Sequence, residues 1–287
     1  MKPTEWRWKS GDGLDMQARE WVPSGARRGL VVLVHGFDDH GGRYLHVGGA
    51  LAAAGFVLCS YDARGQGRSG GTWAWVDGYE RLMDDLAAFL DLCTARHPGL
   101  PRFLYGHSMG GNEVINFLLR RKPSLAGAVA TSPWLELAVR PPAWQAAAAR
   151  LAAVVIGGVA LPTGMDPGGV SRDPEVVKAY VADPCVKGKI TPRLLVAVLD
   201  AGQWALAHAA GLSVPLLLLH GGSDQITSEG ASRRFAAAAG PRVTFRGWPD
   251  AFHELHNEPE KAEVLEAITG WMAERLEVPG RAPPQKA

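Results

Sequence analysis

Cysteine is scarce in this 287-residue sequence, with three in all: Cys59, Cys93 and Cys185. No two form a CxxC pair, so neither a zinc site nor a disulfide framework is expected. Cys59 lies in an apolar run and Cys93 on a helical pattern, where buried reduced thiols are usual. An excess of one charge is also lacking. Lys and Arg number 30 against 29 Asp and Glu, for a formal net charge of +1. Phosphate-backbone binding draws on a clustered basic excess, so no nucleic acid partner is expected. The same balance supplies neither a polybasic membrane address nor an acidic tail. The N-terminal residues MKPTEW contain no apolar core of a signal peptide, which makes a cytoplasmic location the expectation. The one long apolar run, Ala143 to Leu161, is interrupted by Arg150 and by Gly157-Gly158. A central Arg costs ~2.5–3.5 kcal/mol on membrane insertion. The run reads either as a lid helix leaning on lipid or as a buried helix.

What the sequence does have is apolar content, 47% of residues. That is enough for one large core without staples, and too much for disorder. Short apolar runs alternate with helical patterns. Thr4–Ser10 and Leu14–Val22 flank Gly11-Asp12-Gly13 as an opening hairpin. Leu30–Val34 is continuous, as in a strand covered on both faces. Phe56–Tyr61, Arg102–Tyr105, Gly127–Ala130, Val214–Leu219 and Arg242–Phe245 are further strands. The clearest helix carries Val76, Tyr79, Leu82, Met83, Leu86, Phe89, Leu90 and Cys93 at three- and four-residue spacing. The fold class expected is therefore α/β, a mostly parallel sheet with helices on both faces. The alternation lapses between Trp134 and Gly211, which is helical and proline-punctuated. Residues 1–133 and 212–278 are read as the sheet domain, 134–211 as an inserted, mainly helical cap, and 279–287 as a disordered tail.

Gly106-His107-Ser108-Met109-Gly110 follows the strand Phe103-Leu104-Tyr105 and precedes a helical pattern. A G-x-S-x-G in a strand–turn–helix context is a nucleophile elbow, with the serine lifted above the sheet edge. The glycines let the backbone pass closely where a Cβ would clash. Serine needs a base, and the base needs an orienting acid. On this scaffold they follow in the order Ser, acid, His. Asp224 lies in the loop after Leu216–Leu219, and His253 in the loop after the next strand. Ser108, Asp224 and His253 are the expected catalytic residues. Asp250 is a weaker rival for the acid, being too close in sequence to the histidine, while His35 and His220 read as structural. The loop His35-Gly36-Phe37 after Leu30–Val34 offers the Phe37 N–H as an oxyanion donor, beside the Met109 N–H at the helix start.

Three lookalikes are set aside. Gly65-Gln66-Gly67-Arg68-Ser69-Gly70 fits GxGxxG, but no helix opens after it, so no dinucleotide site is expected. HGFDDH has Phe37 where a metallohydrolase needs a second histidine. His253-Glu254-Leu255-His256 is one residue short of the zinc peptidase spacing. No cofactor and no metal are expected. The cap tryptophans Trp134, Trp144 and Trp204, with Val154-Val155-Ile156 and Leu194-Leu195, are read mostly as core contacts, a few lining an acyl tunnel.

With these residues in view, the sequence resembles the monoacylglycerol lipase branch of the α/β-hydrolase fold, which also contains lysophospholipases. HGFDDHGGRY resembles its HGxxEHxxRY loop, YDARGQGRSGG its DxRGxGxSxG segment and GHSMGG its elbow. SRDPEVVKAYVADP, HGGSDQIT and FHELHNE extend the likeness from about Leu30 to Trp271. The resemblance implies a serine ester hydrolase acting on single-chain lipid esters, with short-chain esterase and lysophospholipase as neighbouring activities. A non-catalytic receptor on the same scaffold would show a broken triad. The resemblance also places Asp39, Arg43, Tyr180 and His256 around a glycerol head. Asp39 stands where the family has glutamate, so Asp39 and Arg43 either touch substrate or brace the loop as a salt bridge. The partner implied is a lipid ester, with transient membrane contact through the cap. Oligomeric state is left open.

Overall fold

Along β3 (Gly29–Val34) successive side chains alternate between two cores. Leu30, Val32 and Val34 pack on one face, Val31 and Leu33 on the other. Period-two burial on both faces is what a central strand of a doubly covered sheet requires. The computed structural model describes residues 1–277; the expected tail at 279–287 lies outside the described residues.

Eight strands make the sheet. They are β1 (Thr4–Lys9), β2 (Asp15–Trp21), β3, β4 (Phe56–Tyr61), β5 (Arg102–His107) and β6 (Gly127–Thr131), with β9 (Leu216–Gly221) and β10 (Val243–Trp248) later in the chain. Their spatial order is β1-β2-β4-β3-β5-β6-β9-β10. The pairings β1–β2 and β2–β4 are antiparallel, and the rest of the eight-stranded sheet, β4-β3-β5-β6-β9-β10, is parallel throughout. Helices α1 (Leu45–Ala53) and α8 (Lys261–Glu277) cover one face. The other is covered by α2 (Tyr79–Arg96), α3 (Met109–Arg121), α6 (Pro192–His208) and α7 (Glu229–Ala239). The expected periodicity of α2 is realised, with Leu82, Met83, Leu86, Phe89, Leu90 and Cys93 all buried. Because the chain moves outward from β3 to β4 and then returns to β5 on the opposite side, the loops after β3 and β5 diverge from neighbouring strands. Such a switch point leaves a crevice at the carboxyl edge of the sheet.

Between β6 and β9 the chain leaves the sheet. This stretch holds α4 (Ala143–Val155), a two-stranded pair β7 (Leu161–Pro162) and β8 (Lys189–Ile190), α5 (Pro174–Ala182) and α6. The helix α6, extended to Gly211, is the one described helix long and apolar enough to cross a membrane. It is instead a packed layer helix: Leu194, Val198, Ala201, Gly202 and Ala205 are buried, and a Cβ at Gly202 would collide with the backbone of Leu135. The alternative of a buried helix for Ala143–Leu161 does not hold. Helix α4 ends at Val155 and has no buried residue, while Arg150 reaches out to Asp200 on α6 with both guanidinium nitrogens, at 3.0 and 2.5 Å. Val154, Val155 and Ile156 are exposed rather than core.

Candidate active site

The elbow follows from close packing. A Cβ at Gly106 would strike the carbonyl of Gly110, and one at Gly110 the carbonyl of Val34. The glycines thus permit backbone approach, while the strain itself falls on Ser108, at φ 54° and ψ −116°. A non-glycine residue in that region persists only when its surroundings fix it. Here the Ser108 N–H donates to the Thr131 carbonyl at 3.0 Å, and its carbonyl accepts from Asn112 and Trp134, both at 2.9 Å. Ser108 is 6% exposed and faces a cavity of about 750 Å³.

Asp224 and His253 arrive from the loops after β9 and β10. Nδ1 of His253 lies 2.8 Å from Oδ2 of Asp224. The carboxylate is fully enclosed: Oδ1 accepts from the Ile226 and Thr227 N–H groups, Oδ2 from the Thr227 hydroxyl, and His220 Nε2 lies 3.1 Å from Oδ2. Burial opposes its ionisation, yet His253 and His220 outweigh that and hold the Asp224 carboxyl well below the usual range. Burial likewise disfavours a charged His253, but the charge and hydrogen bond of Asp224 raise the imidazole above its ordinary value. Ser108 and His253 line the same cavity. Among the described residues no hydrogen bond reaches the Ser108 hydroxyl; such contacts tighten when a substrate fills the site. The rival Asp250 is exposed at the surface.

The loop after β3 packs directly on the elbow, since a Cβ at Gly36 would lie 3.3 Å from Ser108 Cβ. Phe37 lines the cavity and Met109 opens α3. No hydrogen bond among the described residues takes up the Phe37 or Met109 N–H. Two unspent donors beside a serine suit a developing oxyanion.

Asp39 and Arg43 form a brace. Asp39 Oδ1 accepts from the His40 N–H and from Arg43, and Oδ2 accepts from the Tyr44 hydroxyl at 2.7 Å and the Gly36 N–H. Burial opposes its charge, but Arg43, His35 and Tyr44 hold the carboxyl below its usual range. Arg43 is also bidentate to Glu254, with both contacts at 2.7 Å, and sits 4.8 Å from the Tyr180 ring. Asp39, Tyr180 and Glu254 still border the cavity. His256 does not: it is fully buried and stacked on Tyr44, and among the described residues neither ring nitrogen has a hydrogen-bond partner. Its ring lies 4.8 Å from that of His107, which is in turn 4.9 Å from His253. Burial and the neighbouring His253 push His107 down to about 3, so it faces His253 as a neutral ring.

Sequence reasoning missed Thr227, His220 and Glu254 as partners of these groups. The adjacency of Thr227 to Asp224 in the same loop is the one signal that pointed there. The other half of the cavity is apolar, formed by Trp134, Leu195, Leu199 and the alanine face of α4; Trp144 instead points outward, 69% exposed.

The lookalike motifs are taken up by structure. The glycine loop closes on itself through Gly65 N–H to Gly70 O at 2.8 Å. His35 uses Nδ1 on the Gly36 carbonyl and Nε2 on the Ala63 N–H. Two described groups of side chains have metal-like proximity, Glu20/Cys59/His97 and His40/Asp183/Cys185. In the first, Glu20 is already engaged by Arg96 and His97. In the second, Nδ1 of His40 accepts from Gly42, which leaves the proton on Nε2 facing Asp183. Neither presents a free set of lone pairs.

The fold and the arrangement at its carboxyl edge are those of an α/β-hydrolase. Residues 25–260 match the family described as serine aminopeptidase S33. The chain is 35% identical to the monoacylglycerol lipase of Mycolicibacterium smegmatis over 258 residues, covering 89% of this chain and 92% of that one. It is 30% identical to the Homo sapiens monoglyceride lipase over 281 residues, covering 96% and 92%. The crystal structure of the Paleococcus ferrophilus monoacylglycerol lipase superposes with a TM-score of 0.81 at 30% identity, over 96% of this chain and all of that one. The chain belongs to this serine hydrolase family, in its monoacylglycerol lipase branch.

Proposed function

We propose that the protein hydrolyses monoacylglycerols to fatty acid and glycerol through an acyl-enzyme on Ser108. The observation that supports this most is the enclosed Asp224–His253 pair sharing one largely apolar cavity with a serine held at a strained elbow. Asp224 fixes the proton on Nδ1 and leaves Nε2 as the basic nitrogen. His253 takes the hydroxyl proton as Ser108 Oγ attacks the ester carbonyl. The tetrahedral oxyanion is held by the Phe37 and Met109 N–H groups. As the ester C–O bond breaks, the imidazolium returns its proton to the departing glycerol oxygen. Water, deprotonated by the same His253, then releases the fatty acid and restores Ser108.

The apolar half of the cavity takes the acyl chain, each buried CH₂ contributing ~0.8 kcal/mol. Asp39 acts as the brace of the oxyanion loop, with Tyr180 and Glu254 nearer the alcohol. The outer face of α4, where Trp144, Leu151, Val154 and Val155 are each at least 65% exposed, rests on the lipid surface that supplies substrate. Co-sedimentation with phosphatidylcholine vesicles tests that contact.

Replacing Ser108 by Ala should lower monoacylglycerol hydrolysis by about 10⁴–10⁶-fold and abolish labelling by a fluorophosphonate. Turnover near the unmodified rate in that variant refutes the mechanism. An acyl-length series on glycerol esters tests the substrate class; a maximum at acetate would move the assignment to a short-chain esterase.

A further inference from the structure

Asp38, next to the oxyanion donor Phe37, is a non-glycine residue at φ 54° and is only 1% exposed. Among the described residues its carboxylate has two hydrogen-bond partners, both in the segment between β6 and β9. The Lys187 N–H donates to Oδ1 and the Gly188 N–H to Oδ2, each at 2.7 Å. Among the described residues no cation pairs with it. A buried carboxylate without a counter-ion depends on its hydrogen bonds, because an orphaned charge in a low-dielectric setting is costly. The backbone of Asp38 is pinned as well, its N–H donating to Gln66 Oε1 at 2.8 Å.

The far end of this clamp leads straight to the cavity wall. Gly188 is followed by β8, which pairs with β7, and Leu161, Pro162 and Ile190 line the cavity. A second strap runs parallel, from His40 Nε2 to Asp183 at 2.9 Å. Asp38 thus joins the peptide carrying Phe37 to the β7–β8 wall of the cavity. Movement of that wall would pull on a carboxylate that has no other hydrogen-bond partner among the described residues.

We propose that Asp38 is a positioning residue that couples the placement of the cap to the aim of the Phe37 N–H, so that the oxyanion site is fully formed when the cap is seated. The proposal rests on the assignment of Phe37 as an oxyanion donor. It accounts for the strained Asp: a glycine would relax the backbone but lose the clamp.

The two roles separate in Asp38→Gly. Hydrolysis of p-nitrophenyl acetate is the readout, because a two-carbon acyl group gains little from burial of its chain against the cap wall. The expected result is a fall in kcat of about 10- to 100-fold with KM changed by less than about threefold, short of the loss of a whole oxyanion donor. Amide hydrogen exchange at Lys187 and Gly188 should accelerate by about tenfold or more in the same variant, with β5 and β6 unchanged. Asp38→Asn keeps one carbonyl acceptor and should fall between the two, which serves equally if the glycine variant does not fold. Wild-type kcat on acetate in either folded variant overturns the coupling, as does a loss of kcat without faster exchange at 187–188. An active Ser108→Ala would instead refute the serine mechanism itself. Inert Ser108→Ala together with fully active Asp38→Gly removes the coupling alone.

Discussion

The two walls of the cavity are built on opposite principles. On the sheet side, Asp39, Arg43, Glu254, Asp224 and His253 are nearly buried and bonded to one another or to backbone. On the α4 side the wall is alanine, no residue of the helix is buried, and an exposed ion pair, Arg150–Asp200, ties it to α6. Charge that must be aimed is fixed by a dense polar network, since a preorganised dipole costs nothing to reorient at the moment of reaction. Apolar surface that must adapt to a flexible chain needs only area, because hydrophobic contact has no preferred direction.

The contrast should be largest in stability. Removing Arg43 leaves two buried carboxylates, Asp39 and Glu254, without their cation. Arg43→Ala should therefore cost about 3–5 kcal/mol in denaturant unfolding. A loss within 1 kcal/mol would mean that the sheet wall is no more rigid than α4.

A second test exploits Glu113 on α3, behind the elbow. Burial pushes its carboxyl up from 4.5 to about 8, and the Tyr61 hydroxyl donates to one oxygen while the other has no hydrogen-bond partner among the described residues. Its carboxyl is neutral in the folded protein up to about pH 8, but ionised in the unfolded chain above 4.5. Folding takes up a proton across that window, so stability is highest below it and falls as pH rises through the folded value. Glu113→Gln should flatten the decline in Tm between about pH 5 and pH 9 by on the order of 1–3 kcal/mol in free energy. An unchanged pH slope would show that this carboxyl is not what the sheet side tolerates.

The smallest stability effect belongs to α4. Val154 and Val155, 81% and 71% exposed, can become Asp with an expected change within about 0.5 kcal/mol. Hydrolysis of monoacylglycerol in vesicles should nevertheless drop about tenfold, while acetate ester hydrolysis holds. Equal loss on both substrates would make α4 part of the chemistry rather than of lipid contact.

Much of the architecture was legible because each part has a local cause. Uninterrupted apolar runs become strands buried on two faces, and the spacing from Tyr79 to Cys93 becomes the buried stripe of α2. The candidate elbow was legible because Gly106 and Gly110 are demanded by contacts within a few residues, or with one adjoining strand. Other features had no local signature. The outward placement of Val154–Ile156 depends on what lies opposite α4, which apolar composition does not record. Glu254 looked like half of a metal motif until Arg43, 211 residues away, was found against it. Thr227 and His220 serve Asp224 only because the loop folds around the carboxylate.

The sequence by itself determined the strand and helix alternation, the strained turn at Ser108 and the order of serine, acid and histidine, since these follow from neighbouring residues and backbone sterics. Only the tertiary structure decided which distant charges are paired, as Arg43 is with Glu254, and that Asp38 grips Lys187 and Gly188. Those partners are remote in the chain, and a carboxylate's role is set by whatever donor the completed fold brings within 3 Å of it.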